Sequence, residues 1–328
     1  MSEFNFTSPL QEFIRGVIRE KQALGYKYDS SARVLYQFDL FCLKYGCVDP
    51  TLTKQLVHTW IQKKSHESPA TLRIRVSVIR QLALYMTRLG VQAYILPKNA
   101  IPKGPRYTPY IFSNKEMAAL FQRADACHYR SEVPLRHHIM PVLFRLLYGC
   151  GLRISEALNL RLRDVDLDTG VLTIIDGKFN KDRLVPLAPE NHQRCRNYIK
   201  EVHVFSDQNA FLFPAPDGRA VSKGNVYKNF RKFLWQVRIS HGGWGKGPRI
   251  HDFRHTFAVH CLRNWVLEGK DLAAYLPVLK TYMGHDSFGD TARYLRLTAE
   301  VYPDITAKVE SNFGDVIPSL GGDNHETD

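Results

Sequence analysis

The sequence predicts a mainly α-helical protein with a small antiparallel β-sheet, built as an N-terminal helical bundle followed by an α+β domain. Three observations predict this class. Over positions 1–96 apolar residues recur at helical spacing and glycines punctuate the segment ends. Pro97, Pro102, Pro105 and Pro109 then fall in a stretch that also holds Lys98, Lys103 and Arg106, a composition suited to an extended linker. Past it, a single pair of β-prone runs, 171–176 and 183–187, stands among helical patterns. A chain of 328 residues also exceeds what one hydrophobic core normally serves, so two domains are expected. The boundaries read as a bundle over 1–96, a basic proline-rich linker over 97–110, a second domain over 111–316 and an unstructured tail over 317–328.

In chain order, Leu10, Phe13, Ile14, Val17 and Ile18 form one helical stripe that stops near Gly25. Val34, Leu35, Phe38, Phe41 and Cys42 form a second, with Ser30 placed to cap its start and Gly46 its end. A third helix is expected over 53–63. The fourth opens at Ser68 and Pro69, a capping hydroxyl followed by a residue whose φ suits the first helical position, and runs to Gly90. Arg73, Arg75, Arg80 and Arg88 lie on it. They read either as a solvated face or as phosphate contacts, and the surrounding positive charge favours phosphate.

In the second domain Ser113 and Glu116 make an S-x-x-E capping box that announces a helix. Helices are expected over 134–148 and 153–160, followed by the two strands, which Gly177-Lys178-Phe179-Asn180-Lys181-Asp182 joins as a hairpin with a basic tip. Further helical patterns begin near Glu190, Ser222, His251, Asp271 and Ser287. Ile305, Val309 and Phe313 recur at helical spacing and predict one more short helix.

Lys and Arg total 45 against 32 Asp and Glu, a formal charge of +13 that favours polyanionic partners. Nucleic acid leads over an anionic membrane, because the basic residues are spread over many segments rather than gathered on one amphipathic helix. The opening MSEFNFTSPL lacks the basic start and apolar core of a signal peptide, and no apolar run reaches the length of a membrane span. The six cysteines are scattered without a CxxC pair, which argues against a disulfide framework or a zinc ribbon. A cytoplasmic protein without membrane association is expected.

Chemistry concentrates in segments far apart in the chain. GCGLRISEALNL (149–160) sets two glycines ahead of a helix whose first turn carries Arg153, beside backbone N–H groups without intrahelical partners. HDFRHTFAVH (251–260) puts His251 and Arg254 three apart, on one helix face. MGHDSFGDTARYLRL (283–297) carries His285 and, nine residues on, Tyr294. Each residue alone has a plainer reading. Arg153 can pair with Glu156 on its own helix, Lys178 and Lys181 can solubilise a turn, and Tyr294 is one of 16 tyrosines that can pack in a core. His251 and His255 are spaced like zinc ligands, but Asp252 and Phe253 exclude an H-E-x-x-H motif. No metal and no other cofactor is expected, and His255 reads as a packing or hydrogen-bonding residue.

The ordered set, Arg within GLRISEAL, Lys in a hairpin turn, H-x-x-R-H, G-H and a final Tyr, resembles the tyrosine recombinase (phage integrase) family over most of 110–300. The resemblance implies that Arg153, Lys178, His251, Arg254 and His285 surround a scissile DNA phosphate, and that Tyr294 attacks it to leave a 3′-phosphotyrosine. It also implies a core-binding role for the N-terminal bundle, a DNA breaking-rejoining fold for the second domain and double-stranded DNA as partner. The acting form it implies is a homotetramer, with or without companion recombinases, that exchanges strands through a Holliday junction. The short helix after Tyr294 would then pack on its own domain or on the neighbouring subunit.

These residue types suit the chemistry. A phosphodiester repels a nucleophile until cations cover its nonbridging oxygens, and a guanidinium can bind two oxygens in a fork. Arg153 and Arg254 fit that task, Lys178 the general acid at the departing 5′ oxygen, His251 the base, and His285 a donor to a nonbridging oxygen. Related hairpins often read G-K-G-x-K where Phe179 stands here, so Lys181 remains a rival to Lys178. Arg73, Arg75, Arg80 and Lys181 are the further expected DNA contacts. Two other functions compete: a type IB topoisomerase, which shares the chemistry but works as one subunit, and a basic DNA-binding regulator without catalysis. All six catalytic positions are filled, which disfavours the regulator.

Overall fold

The computed structural model describes residues 4–102, 107–175, 182–243, 247–285 and 287–302. The chain divides into two compact units, Met1–Tyr107 and Thr108–Asp328. Among the described residues no helix is long and apolar enough to cross a membrane.

The first unit is a bundle of α1 (Gln11–Ala23), α2 (Asp29–Tyr45), α3 (Lys54–Trp60) and α4 (Pro69–Arg88). Side-chain oxygens start two of these helices: Thr53 accepts from the Leu56 amide and Ser68 from the Thr71 amide, with Pro69 in the first turn of α4. The expected cap of α2 is different. That helix begins one residue before Ser30, after Tyr28 in the left-handed region at φ 51°, with no side-chain cap. Gly46 ends it as expected, at φ 79°, where a glycine carries no Cβ penalty. Leu10, Ile14 and Val17 of the first stripe and Leu35, Phe38 and Cys42 of the second meet Ile79, Leu82 and Met86 of α4 in one core.

Two further sequence expectations fail in this unit. The predicted linker from 97 begins as packed chain, because Leu96 is buried and Ala100 and Ile101 lie on the same core. Arg75 does not face outward. It is 3% exposed, paired with Glu67 at 2.6 and 2.7 Å, bonded to the Trp60 and Gln62 carbonyls and stacked 4.9 Å from the Trp60 ring. Its helical position falls on the core side of α4, so its charge is consumed in holding the α3–α4 loop rather than offered to phosphate. Arg73 and Arg80 each donate to a carbonyl, of Pro102 at 3.2 Å and of Leu96 at 2.9 Å.

The second unit places helices around a three-stranded antiparallel sheet. Its elements are α5 (Asn114–Asp125), α6 (Arg136–Gly149), α7 (Ile154–Asn159), β1 (Val165–Asp166), β2 (Val171–Ile174), β3 (Arg183–Pro186), α8 (Pro189–Val202), α9 (Lys223–Gln236), α10 (Asp252–Leu267), α11 (Leu272–Met283) and α12 (Phe288–Val301). The Ser113–Glu116 capping box forms in full. The sheet order is β1-β2-β3, with Leu172 opposite Val185 and Ile174 opposite Arg183. β1 was not expected, since two residues are too few to leave a period in the sequence. The expected hairpin tip, with Lys178 and Lys181, and the predicted helix and tail after 302 lie outside the described residues.

The helix α10 organises this unit. It is buried on nearly every side, so it shows no amphipathic face, and it packs on α6, α11 and α12. Phe253 near its start joins Phe112, Phe144 and Phe230 in an aromatic cluster, with ring centroids 5.3 to 5.7 Å from Phe253. Val259 and Leu262 on its other side meet Leu276 and Leu279 of α11 and Leu295 of α12. The start of α10 is thereby held rigidly, with its polar residues aimed at one place.

Candidate active site

Three arginines converge on the end of one helix. Gly284 closes α11 in the left-handed region at φ 62°, and the Gly284 and His285 amides take the carbonyls of Thr281 and Lys280. The next three carbonyls have no helical partner and point outward with the negative end of the helix dipole. Each accepts from a different guanidinium: Tyr282 O from Arg183 Nε at 2.9 Å, Met283 O from Arg254 Nη2, and Gly284 O from Arg153 Nη2 at 3.2 Å. A Cβ on Gly284 would stand 3.1 Å from the Cδ and Nη1 of Arg183, so the cluster needs a glycine here for space as well as for φ.

The arginines arrive from three other elements. Arg254 lies in the first turn of α10, 1% exposed, and its Nη1 donates to Gly151 O at 2.6 Å. Gly151 holds φ 57° in the turn before α7, where a Cβ would meet the Phe257 ring at 2.7 Å. Arg153 precedes α7 and is half-buried. Arg183 opens β3. One carboxylate serves two of them: Glu156 accepts from Arg153 Nη1 at 2.6 Å, the Arg153 amide at 2.8 Å, and Arg183 Nη1 and Nη2 at 3.1 and 2.9 Å. Burial pushes the Glu156 pKa up, but the two guanidinium groups outweigh it and hold the carboxyl at about 2. Burial, then Arg153, lowers Arg254 to about 10, which leaves it charged at neutral pH. Three guanidinium charges thus face one bonded carboxylate. The region is poised for an anion.

A ring of imidazoles and one phenol lies beside the arginines. Tyr294 of α12 is 2% exposed, and its hydroxyl sits 3.0 Å from His255 Nδ1. Burial, then the His251 and arginine charges, holds His255 at about 3, while burial raises the phenol pKa against the opposing pull of Arg254, Arg293 and Arg153. Both groups are therefore neutral, and the direction of their hydrogen bond follows the His255 tautomer. His285 stacks on the Tyr294 ring at 5.8 Å, and its Nδ1 meets the Thr291 hydroxyl at 2.8 Å. His251 keeps an edge open to solvent and stands edge-on to His255 at 4.8 Å. Burial first, then the charges of Arg254 and Arg153, lowers its pKa to about 4, and burial with Arg254 lowers His285 to about 3.

Of the expected catalytic residues, Arg153, His251, Arg254, His285 and Tyr294 share this region, while Lys178 and Lys181 lie outside the described residues. The plain reading of Arg153, its pairing with Glu156, holds together with its place in the cluster. Arg183, Thr291 and the contact of His255 with the phenol were not anticipated. The signals were slight: Glu156 three residues after Arg153, His255 four after His251, and a lone arginine opening an otherwise apolar strand.

Residues 111–300 match the phage integrase family model. The integrase/recombinase y4rB of Sinorhizobium fredii is 31% identical over 94% of this chain and 99% of its own length. Tyrosine recombinase XerD of Lacticaseibacillus casei is 28% identical over 71% of this chain and 74% of its own. In fold, the chain resembles a XerH site-specific recombinase bound to a palindromic difH substrate, with TM-score 0.62, 18% identity and coverage of 85% of this chain and 78% of that one. A Tn1549 transposon integrase in complex with transposon right-end DNA gives TM-score 0.62 at 15% identity, over 90% and 99% of the two chains. The fold and the family model define a tyrosine-type recombinase. This chain belongs to the phage integrase family.

Proposed function

We propose that this chain is a site-specific DNA recombinase that cleaves and rejoins strands through a 3′-phosphotyrosine on Tyr294, as a tetramer and through a Holliday junction. The observation that carries the reading is a cluster of three arginines, two buried and one half-buried, with one bonded carboxylate among the described residues, next to a phenol hydrogen-bonded to a neutral imidazole. Three guanidinium groups and one carboxylate leave two positive charges; a DNA phosphodiester offsets one, and the second negative charge of its pentacovalent transition state offsets the other. Arg153 and Arg254 bind its nonbridging oxygens and stabilise the charge that grows in the pentacovalent transition state. In the tautomer whose Nδ1 accepts from the Thr291 hydroxyl, His285 presents Nε2–H to a nonbridging oxygen. Released from His255 as it turns to the phosphate, the phenol gives its proton to His251 as the Tyr294 O–P bond forms, and Lys178, with Lys181 as rival, protonates the 5′ oxygen as the P–O bond breaks. The phosphotyrosine conserves the bond energy, so a 5′-hydroxyl from another strand displaces the tyrosine without a nucleotide cofactor. Double-stranded DNA is the partner, with companion recombinases as candidates for mixed assemblies.

The test begins with duplexes selected from a randomised pool by binding to the Tyr294→Phe protein. A nicked version of the selected duplex traps the covalent intermediate. The unaltered protein should form a protein–DNA adduct, the Phe variant none, and binding should weaken steeply with salt as counterions are released. An adduct formed by the Phe variant sinks the assignment of Tyr294. Relaxation of one supercoiled DNA without joining of two points instead to a topoisomerase.

A further inference from the structure

Arg183 spends every nitrogen of its side chain inside the protein. It opens β3 opposite Ile174, its side chain is 7% exposed, and Nε, Nη1 and Nη2 bond Tyr282 O at 2.9 Å and the two Glu156 oxygens at 3.1 and 2.9 Å. It faces no ligand. Its effect falls on Arg153, which shares Glu156 with it. A carboxylate alone with one arginine closes a two-oxygen fork and neutralises it. Here Arg183 occupies both oxygens, and Arg153 Nη1 reaches only Oε1, at 2.6 Å. The other Arg153 contact of its guanidinium is a carbonyl, Gly284 O, which holds the group without cancelling its charge.

The geometry points to Arg183 as a positioning residue for DNA cleavage: by holding both oxygens of Glu156 and the Tyr282 carbonyl, it leaves Arg153 only half-paired and turned to the scissile phosphate. This inference rests on the proposed role of Arg153. It also explains the arrangement at Gly284, where any side chain would meet Arg183. A lysine cannot replace it, since one ammonium on a flexible stem cannot meet three acceptors set in a planar fork.

The test compares full-length Arg183→Lys, Arg183→Met and Arg153→Ala with the unaltered protein on the nicked selected duplex. The scissile linkage is either an ordinary phosphodiester or a methylphosphonate, which carries no charge for Arg153 to neutralise. Both Arg183 variants should cleave the phosphodiester about 100-fold more slowly, as when a transition-state donor is misplaced, with DNA binding changed by less than about 3-fold. On the methylphosphonate the deficit should shrink to within about 10-fold for the Arg183 variants and Arg153→Ala alike. Thermal unfolding identifies a variant that fails to fold, and the lysine variant, which keeps the charge and most of the volume, then carries the comparison. Wild-type cleavage by the Arg183 variants beside an impaired Arg153→Ala overturns this inference alone. An equal Arg183 deficit on both linkages, when that of Arg153→Ala shrinks, does the same. Wild-type cleavage by Arg153→Ala overturns the reading on which it rests as well.

Discussion

Replacing Glu156 by glutamine tests whether the arginine cluster is held by charge. The side chain is 5% exposed and accepts four hydrogen bonds from Arg153 and Arg183. A carboxyl held at about 2 in the folded protein, against an ordinary value of 4.5, contributes on the order of 3 kcal/mol to stability. Because the folded pKa lies below the unfolded one, that contribution is complete above about pH 5 and is lost as pH falls towards 2. Glutamine keeps the shape and removes the charge, so Glu156→Gln should cost about 3 kcal/mol near neutral pH, comparable to breaking other buried ion pairs. For a unit of this size that is a fall in Tm of roughly 6–12 °C. The gap should shrink to less than half near about pH 3, where the native carboxylate itself begins to protonate. Calorimetric unfolding of the full chain, unaltered and variant, at both pH values measures it. A neutral-pH gap under about 1 kcal/mol, or a gap of equal size at both pH values, would refute the charge argument.

Three further outcomes follow from the same contacts. Gly284→Ala forces a Cβ into the left-handed region and against Arg183, so it should lower stability by about 1–2 kcal/mol and slow adduct formation on the nicked duplex; an alanine protein that matches the parent in both would remove the need for glycine. Arg75→Met should destabilise the first unit by on the order of 2–3 kcal/mol, through the orphaned Glu67, measured by thermal unfolding; a change confined to DNA affinity would return Arg75 to the DNA-facing set. His255→Phe and Tyr294→Phe should be non-additive in a double-mutant cycle, with a coupling of about 1 kcal/mol for the buried hydrogen bond, and full additivity would mean that the contact contributes nothing.

Much of the site was legible because its residues sit at local helix positions. Arg153 follows the turn before α7, His251 immediately precedes α10 and Arg254 lies in its first turn, and Tyr294 lies on α12, so motif and element coincide. The partners that hold them were less legible. Arg183 and the Tyr282, Met283 and Gly284 carbonyls reach the cluster only through tertiary packing, and a backbone carbonyl leaves no mark in a sequence. Arg75 shows the same limit in the first unit. Charge predicts an outward residue, yet Trp60 and Glu67 from the preceding segment make an inward pocket that no spacing rule announces. β1 escaped for want of length, and the packing of Ala100 and Ile101 was hidden by the prolines around them.

The choice of carbonyls as the main anchors has a physical consequence for an enzyme that acts on an anion. Carboxylates would hold the arginines more tightly, but each would cancel the charge that the phosphate requires. A helix end supplies oriented dipoles with only about half an elementary charge in total, enough to fix direction without neutralising. Arg254, with Gly151 and Met283 carbonyls as its bonded partners, is the limiting case: buried, fixed and still positive. On that argument, a carboxylate introduced within reach of Arg254 should damage cleavage more than deleting either carbonyl contact by a backbone shift. Quenching the site needs only the pairing, whatever the ion pair is worth to the fold, so cleavage of the nicked duplex should fall even where thermal unfolding is unchanged, and full cleavage by such a variant would refute the argument.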